Sequence, residues 1–168
     1  MNMVDAVKSV LTQYFGFSGR ARRSEYWYWI LATFLVAVVI AIIELALGIS
    51  NEGSGPLSTI FSLATFFPGL AVTFRRLHDT GRSGWWVGAF YLAIIFFVIV
   101  AVAMVLGGSV SESNTSALAG LGMFSIIFII GILVYCVVLL VFLCQDSVTG
   151  PNKYGPNPKN AGNYDIFE

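Results

Sequence analysis

The chain has 168 residues, of which 57% are hydrophobic, 15% aromatic and 11% charged, and its 9 basic and 9 acidic residues cancel. A soluble domain carries roughly 25% charged and ~45–50% apolar residues. With a mean hydropathy of +0.82, this composition excludes disorder and collagen-like repeats and argues against a soluble enzyme. Two cysteines build no disulfide scaffold and one histidine builds no histidine-rich metal site.

Residues 3–15 place Met3, Val4, Val7, Val10, Leu11, Tyr14 and Phe15 at three- and four-residue spacing, with Asp5, Lys8, Ser9, Thr12 and Gln13 opposite. This stripe is too short to span a bilayer. It predicts an amphipathic interfacial helix lying flat at the headgroup boundary or packed on the rest of the fold. A helix crossing the ~30 Å hydrocarbon core needs about 20 apolar residues, and four runs provide them: 26–48, 57–74 (the shortest), 85–107 and 121–144. None alternates apolar with polar residues, so a β-barrel fits poorly and helices are expected. The predicted fold is all-α, a four-helix transmembrane bundle in a single integral-membrane domain.

The charges orient it. Lys8, Arg20, Arg22 and Arg23 precede the first run, Arg75, Arg76 and Arg82 lie between the second and third, and Lys153 and Lys159 follow the fourth. Loops 49–56 and 108–120 carry only Glu52 and Glu112. By the positive-inside rule both termini are expected in the cytoplasm, and Trp27, Trp29, Trp85 and Trp86 stand at the cytoplasmic starts of two spans, where amphipathic rings favour the interface. A cleaved signal peptide fits poorly, because the first apolar run starts near Tyr26 and is longer than the roughly 7–15 residues of such a segment.

Local signals place the ends. Ser24 is expected to cap the first span with Glu25 in its first turn, and Ser83 to cap the third. Arg75, Arg76 and His78 suit the C-terminus of the second, before a turn at Asp79-Thr80-Gly81. From Gln145 onward the chain turns rich in Pro, Asn and Gly, with Gly-Pro-Asn at 150–152 and 155–157, a loop-rich C-terminal tail. Ser24-Glu25-Tyr26-Trp27 and Ser83-Gly84-Trp85-Trp86 form a faint repeat of the kind that duplicated helical hairpins leave.

Three segments carry a resemblance. Phe17-Ser18-Gly19-Arg20-Ala21-Arg22-Arg23-Ser24-Glu25-Tyr26-Trp27, the run from Arg75 to Trp86 (RRLHDTGRSGWW) and the run from Gly150 to Pro158 (GPNKYGPNP) resemble the ordered motifs of domain-of-unknown-function family 805, small bacterial inner-membrane proteins. Asp146-Ser147-Val148-Thr149 departs from the family pattern. The resemblance implies the bacterial plasma membrane and a multi-span helical fold, and no activity.

The densest polar grouping joins Arg20, Arg22, Arg23, Arg75, Arg76 and Arg82 with a supporting network of Glu25, His78, Asp79 and Asp146. Topology alone accounts for cations there, but not for all six being arginine, whose planar fork grips phosphate or carboxylate at two points. Acids pairing with some of these arginines would brace the fold, and the remaining cations would meet anionic headgroups or a protein partner. His78-Asp79 is the one acid–base pair of note, although adjacent residues rarely bond side chain to side chain. The second span carries a polar face of Ser58, Ser62, Thr65, Gly69 and Thr73, read first as a packing seam and second as a solute path. Pro68 cannot donate to the carbonyl of Ala64, so a kink is expected near the middle of that span. Glu44 lies ~26 Å along its helix from Trp27, near the outer interface and within reach of headgroup water. Cys136 and Cys144, ~12 Å apart along a helix, are read as apolar residues.

No catalytic, cofactor or metal motif is present, and the arginines are no nucleic-acid footprint. The expected function is a non-enzymatic interaction or scaffold protein, with membrane lipids, a further copy of the chain or another protein as partner, and no cofactor. The alternatives are a small transporter or channel using the second span, and a membrane enzyme on a phosphate-bearing lipid.

Overall fold

A computed structural model of the protein describes residues 1–49, 55–108 and 114–159. They form five helices: α1 (Met3–Thr12), α2 (Arg23–Ala46), α3 (Pro56–Asp79), α4 (Trp85–Gly108) and α5 (Asn114–Cys144). The last four are long and apolar enough to cross a membrane. No strand is present among the described residues, where a single bridge pairs Asn152 with Gly155. Glu52, Glu112 and the chain beyond Lys159 lie outside them. The chain divides into two compact units, Met1–Gly84 with Leu143–Glu168, and Trp85–Phe142.

In the first unit α1 starts on a capping box: Asn2 Oδ1 accepts from the Asp5 N–H at 2.8 Å and the Asp5 carboxylate accepts from the Asn2 N–H at 3.4 Å. Of the apolar stripe only Val10 is fully buried, together with Ala6 beside it, whereas Val4 and Leu11 are exposed. Val10 joins Ala21, Tyr26, Trp29 and Val72 in a small core, so α1 is docked on α2 and α3 through a narrow face.

The chain after α1 then follows α3. Ser9 bonds Glu25 near the start of α2, but Tyr14 Oη donates to the Ala64 carbonyl at 2.6 Å and the Phe15 ring lies 5.3 Å from that of Phe67. Phe17 is already back beside Phe74, and the Ala21 N–H bonds the Arg75 carbonyl at 3.1 Å. Ala64 is about 22 Å along α3 from Asp79 and Arg75 about 6 Å, so segment 13–22 reaches the middle of α3 and returns. The reason is local. Pro68 has no N–H for the Ala64 carbonyl, and the Tyr14 hydroxyl supplies the missing donor.

One boundary differs from expectation. Helix α2 begins at Arg23 with Arg22 as N-cap, so Ser24 lies inside the first turn and does not cap it. Helix α3 ends as expected, running through Arg75-Arg76-Leu77-His78 to Asp79, with Glu25 and Asp79 pairing the two arginines.

At the other end of α2, Glu44 is not at a wet interface. It is 1% exposed and caps α3, accepting from the Leu57 N–H at 2.6 Å, the Ser58 N–H at 3.0 Å and the Ser58 hydroxyl. The helix dipole favours an anion there. Gly55 permits it, since a Cβ at that position would overlap the carboxylate.

In the second unit α4 and α5 meet through stacked Phe97 and Phe128, 4.2 Å between centroids, and through Tyr135, whose hydroxyl donates to the Trp86 carbonyl at 2.6 Å.

Candidate functional site

Six arginines reach the ends of α2 and α3 and the tail, and they do two different things. Arg20, Arg75 and Arg76 are internal, each with a side chain no more than 1% exposed. Arg20 donates from Nε to Asp79 Oδ1 at 2.9 Å, from Nη1 to the Gly150 carbonyl at 2.8 Å, and from Nη2 to the Val148 carbonyl at 2.8 Å. Gly150 and Gly155 have φ of 78° and 135°. These left-handed turns, which glycine alone adopts freely, fold the tail around the guanidinium. Arg76 pairs with Asp79 and donates to the carbonyls of Leu143 (3.0 Å) and Gln145, satisfying acceptors at the end of α5. Arg75 pairs with Glu25 at 3.1 Å.

Asp79 is the node of this arrangement. Fully buried, it accepts from Arg20, Arg76 and the Ser147 hydroxyl, while its backbone carbonyl accepts from the Val148 N–H at 3.1 Å. Entry motif, central motif and tail therefore close on one carboxylate. Buried charges persist where they are paired and their remaining hydrogen-bonding capacity is used.

The other cations form a rim. Arg23 (44% exposed) pairs with Asp146 at 3.1 Å, and Lys159 (42%) pairs with the same carboxylate. Arg22 donates to the Pro158 carbonyl and Arg82 to that of Thr80, and Lys153 lies 4.9 Å over the Tyr154 ring. Asp146 is held below the ordinary aspartate value, first by the hydrogen bond from Lys159 and then by the Ser147 N–H.

His78 does not work with Asp79. Its ring stacks on Tyr154 with centroids 3.8 Å apart, and Nδ1 sits 3.2 Å from the Gly19 carbonyl, while Asn152 donates to the His78 carbonyl at 2.9 Å. The pair thus serves tail docking.

The polar face of α3 does not act as a set. Ser58 bonds Glu44, Thr65 and Thr73 bond the carbonyls of Phe61 and Gly69 in their own helix, and Ser62 is exposed. Sequence reasoning missed Ser9, which donates to Glu25, and Ser147, Asn152 and Tyr154, which lock the tail. The twin Gly-Pro-Asn turns around Tyr154 were the available signal for the last two.

A family model described as "Protein of unknown function (DUF805)" matches residues 14–156, a span holding the first two motifs and the third as far as Pro156. Among curated proteins the chain is similar to Inner membrane protein YhaI of Escherichia coli K12, 39% identical over 92% of this chain and 96% of that one. Inner membrane protein YhaH of the same strain is 33% identical over 93% and 98%, and the uncharacterized protein YiiR 27% over 88% of each. No solved structure matches.

Proposed function

The chain belongs to the DUF805 family of proteins of unknown function, and from that premise we propose that it is a multi-span inner-membrane protein without enzymatic activity whose basic end faces the cell interior and engages anionic lipid headgroups. The division of the arginines carries this reading. Arg20, Arg75 and Arg76 are consumed by Glu25 and Asp79 inside the fold, whereas Arg22, Arg23, Arg82, Lys153 and Lys159 ring the same end with Asp146 as their exposed acid. A cationic rim at the end of spanning helices is attracted to an anionic leaflet by about 1 kcal/mol per residue. The non-enzymatic reading rests on Asp79, whose carboxylate is taken up by Arg20, Arg76 and Ser147, and on His78, whose Nδ1 faces the Gly19 carbonyl and whose ring stacks on Tyr154. The hydroxyls of Ser58, Thr65 and Thr73 bond Glu44 or their own helix, which weighs against a solute path along that face.

The test is lipid enrichment around the protein in nanodiscs of equal phosphatidylglycerol and phosphatidylcholine. The wild type enriches phosphatidylglycerol, and Arg22→Gln/Arg23→Gln/Arg82→Gln lowers that enrichment, by up to about fivefold for each cation removed at about 1 kcal/mol apiece. Enrichment unchanged by the triple substitution contradicts the reading.

A further inference from the structure

Within the first unit one charged group is only half used. Arg75 is 1% exposed, and its Nη1 alone is engaged, by Glu25 Oε1 at 3.1 Å. Nε and Nη2 are buried and meet no acceptor among the described residues. These two N–H groups form the side edge of the guanidinium, which matches a pair of oxygens on one phosphorus or carbon. A buried charged group missing such bonds costs more than the ~1–3 kcal/mol of a neutral one, so the edge favours a ligand with two acceptor oxygens.

The pair's charge narrows the ligand further. Glu25 already neutralises Arg75, so a bare anion on the free edge would add an uncompensated negative charge to a buried place. Glu25 itself is unevenly used: Ser9 and Arg75 both donate to Oε1, and Oε2 has no partner among the described residues. The carboxylate is 7% exposed, so this oxygen is the open corner of the cluster. A ligand carrying its own ammonium would place it there and leave the assembly neutral.

Depth agrees. Glu25 is two residues inside the start of α2 and Arg75 four residues from the end of α3, about 3 Å and 6 Å along the helices. That is the level of headgroups, just within the spanning segments.

We propose that Arg75 and Glu25 form a receptor for an aminoalkyl phosphate, with two phosphate oxygens on the Nε/Nη2 edge and the ammonium on Glu25 Oε2. Because both donors are covered, loading requires the packing around them to shift. The receptor uses none of the rim cations and stands apart from the rim's preference for anionic lipid.

Native mass spectrometry on protein carrying Arg22→Gln/Arg23→Gln/Arg82→Gln, which removes the rim's three arginines, tests it. The protein is offered equimolar phosphatidylethanolamine and phosphatidylglycerol with identical acyl chains. It is expected to retain one phosphatidylethanolamine roughly tenfold over phosphatidylglycerol, the effect of one charge-assisted hydrogen bond. Arg75→Lys, which keeps the charge and loses the fork, abolishes the retention. Glu25→Gln shifts it toward phosphatidylglycerol. Displacement of the lipid by millimolar O-phosphoethanolamine identifies a soluble aminoalkyl phosphate as the ligand, and resistance to it a lipid headgroup. Equal retention of the two lipids before any change at Arg75 or Glu25 overturns the proposal, as does a monodisperse Arg75→Lys protein that keeps full selectivity. If Arg75→Lys does not fold, the starting ratio and Glu25→Gln decide.

Discussion

Asp79→Asn is expected to destabilise the protein by about 3–5 kcal/mol, the cost of breaking a buried ion pair from one side. The substitution keeps the shape of the side chain and an acceptor oxygen, so it isolates the charge. Arg20 and Arg76 would both lose their anion at side-chain exposures of 1% and 0%. Their remaining bonds go to carbonyls of the tail, at Gly150, Val148 and Gln145, and two uncompensated guanidinium groups would push that tail apart. The melting midpoint of the purified protein in detergent is expected to fall by roughly 10 °C or more. Asp146→Asn is the control, because its pairs with Arg23 and Lys159 are exposed and such pairs contribute about 0–1 kcal/mol. Equal midpoints for the two variants would mean that the Asp79 node does not hold the end together.

Tyr14→Phe is expected to cost about 1–3 kcal/mol, the penalty for a carbonyl in the middle of a membrane-spanning helix left without its donor. The same change in a Pro68→Ala background is expected to cost far less, because residue 68 then has an N–H for the Ala64 carbonyl and the helix closes its own bond. The coupling energy from this double-mutant cycle, read from denaturation midpoints, isolates the Tyr14–Ala64 bond of 2.6 Å from the rest of the segment. Additive effects at the two sites would show that the hydroxyl does not stand in for the proline's missing N–H.

The sequence was most legible where a single physical quantity dominates. Apolar run length located all four long helices, because lipid accepts only segments that satisfy their own backbone. The cations at 75, 76 and 78 marked the end of α3, but nothing local tied Arg75 to Glu25, 50 residues away, or showed that Arg75 and Arg76 are buried. Glu44 was misplaced for a related reason. Its distance along α2 was right, but its partner is the start of another helix, reached through a glycine whose importance only the fold reveals. Pro68 announced a free carbonyl, yet nothing in the local pattern of residues 3–15 tied Tyr14 to it across 50 positions. The arginine cluster was found by type and position. Which arginines are structural and which form the rim depends on burial, and burial follows from the tail folding back.

The account rests on the basic end facing the cell interior, and labelling of a single cysteine at position 153 tests this most directly. With Cys136 and Cys144 replaced by serine, Lys153→Cys is expected to react with a membrane-impermeant maleimide in inverted inner-membrane vesicles and to stay unlabelled in intact spheroplasts. Position 153 is exposed and lies in the tail that docks on His78, so it reports the side of the membrane on which the arginine network sits. Labelling in spheroplasts, with protection in inverted vesicles, would contradict the orientation and with it the assignment of the rim to the cytoplasmic leaflet.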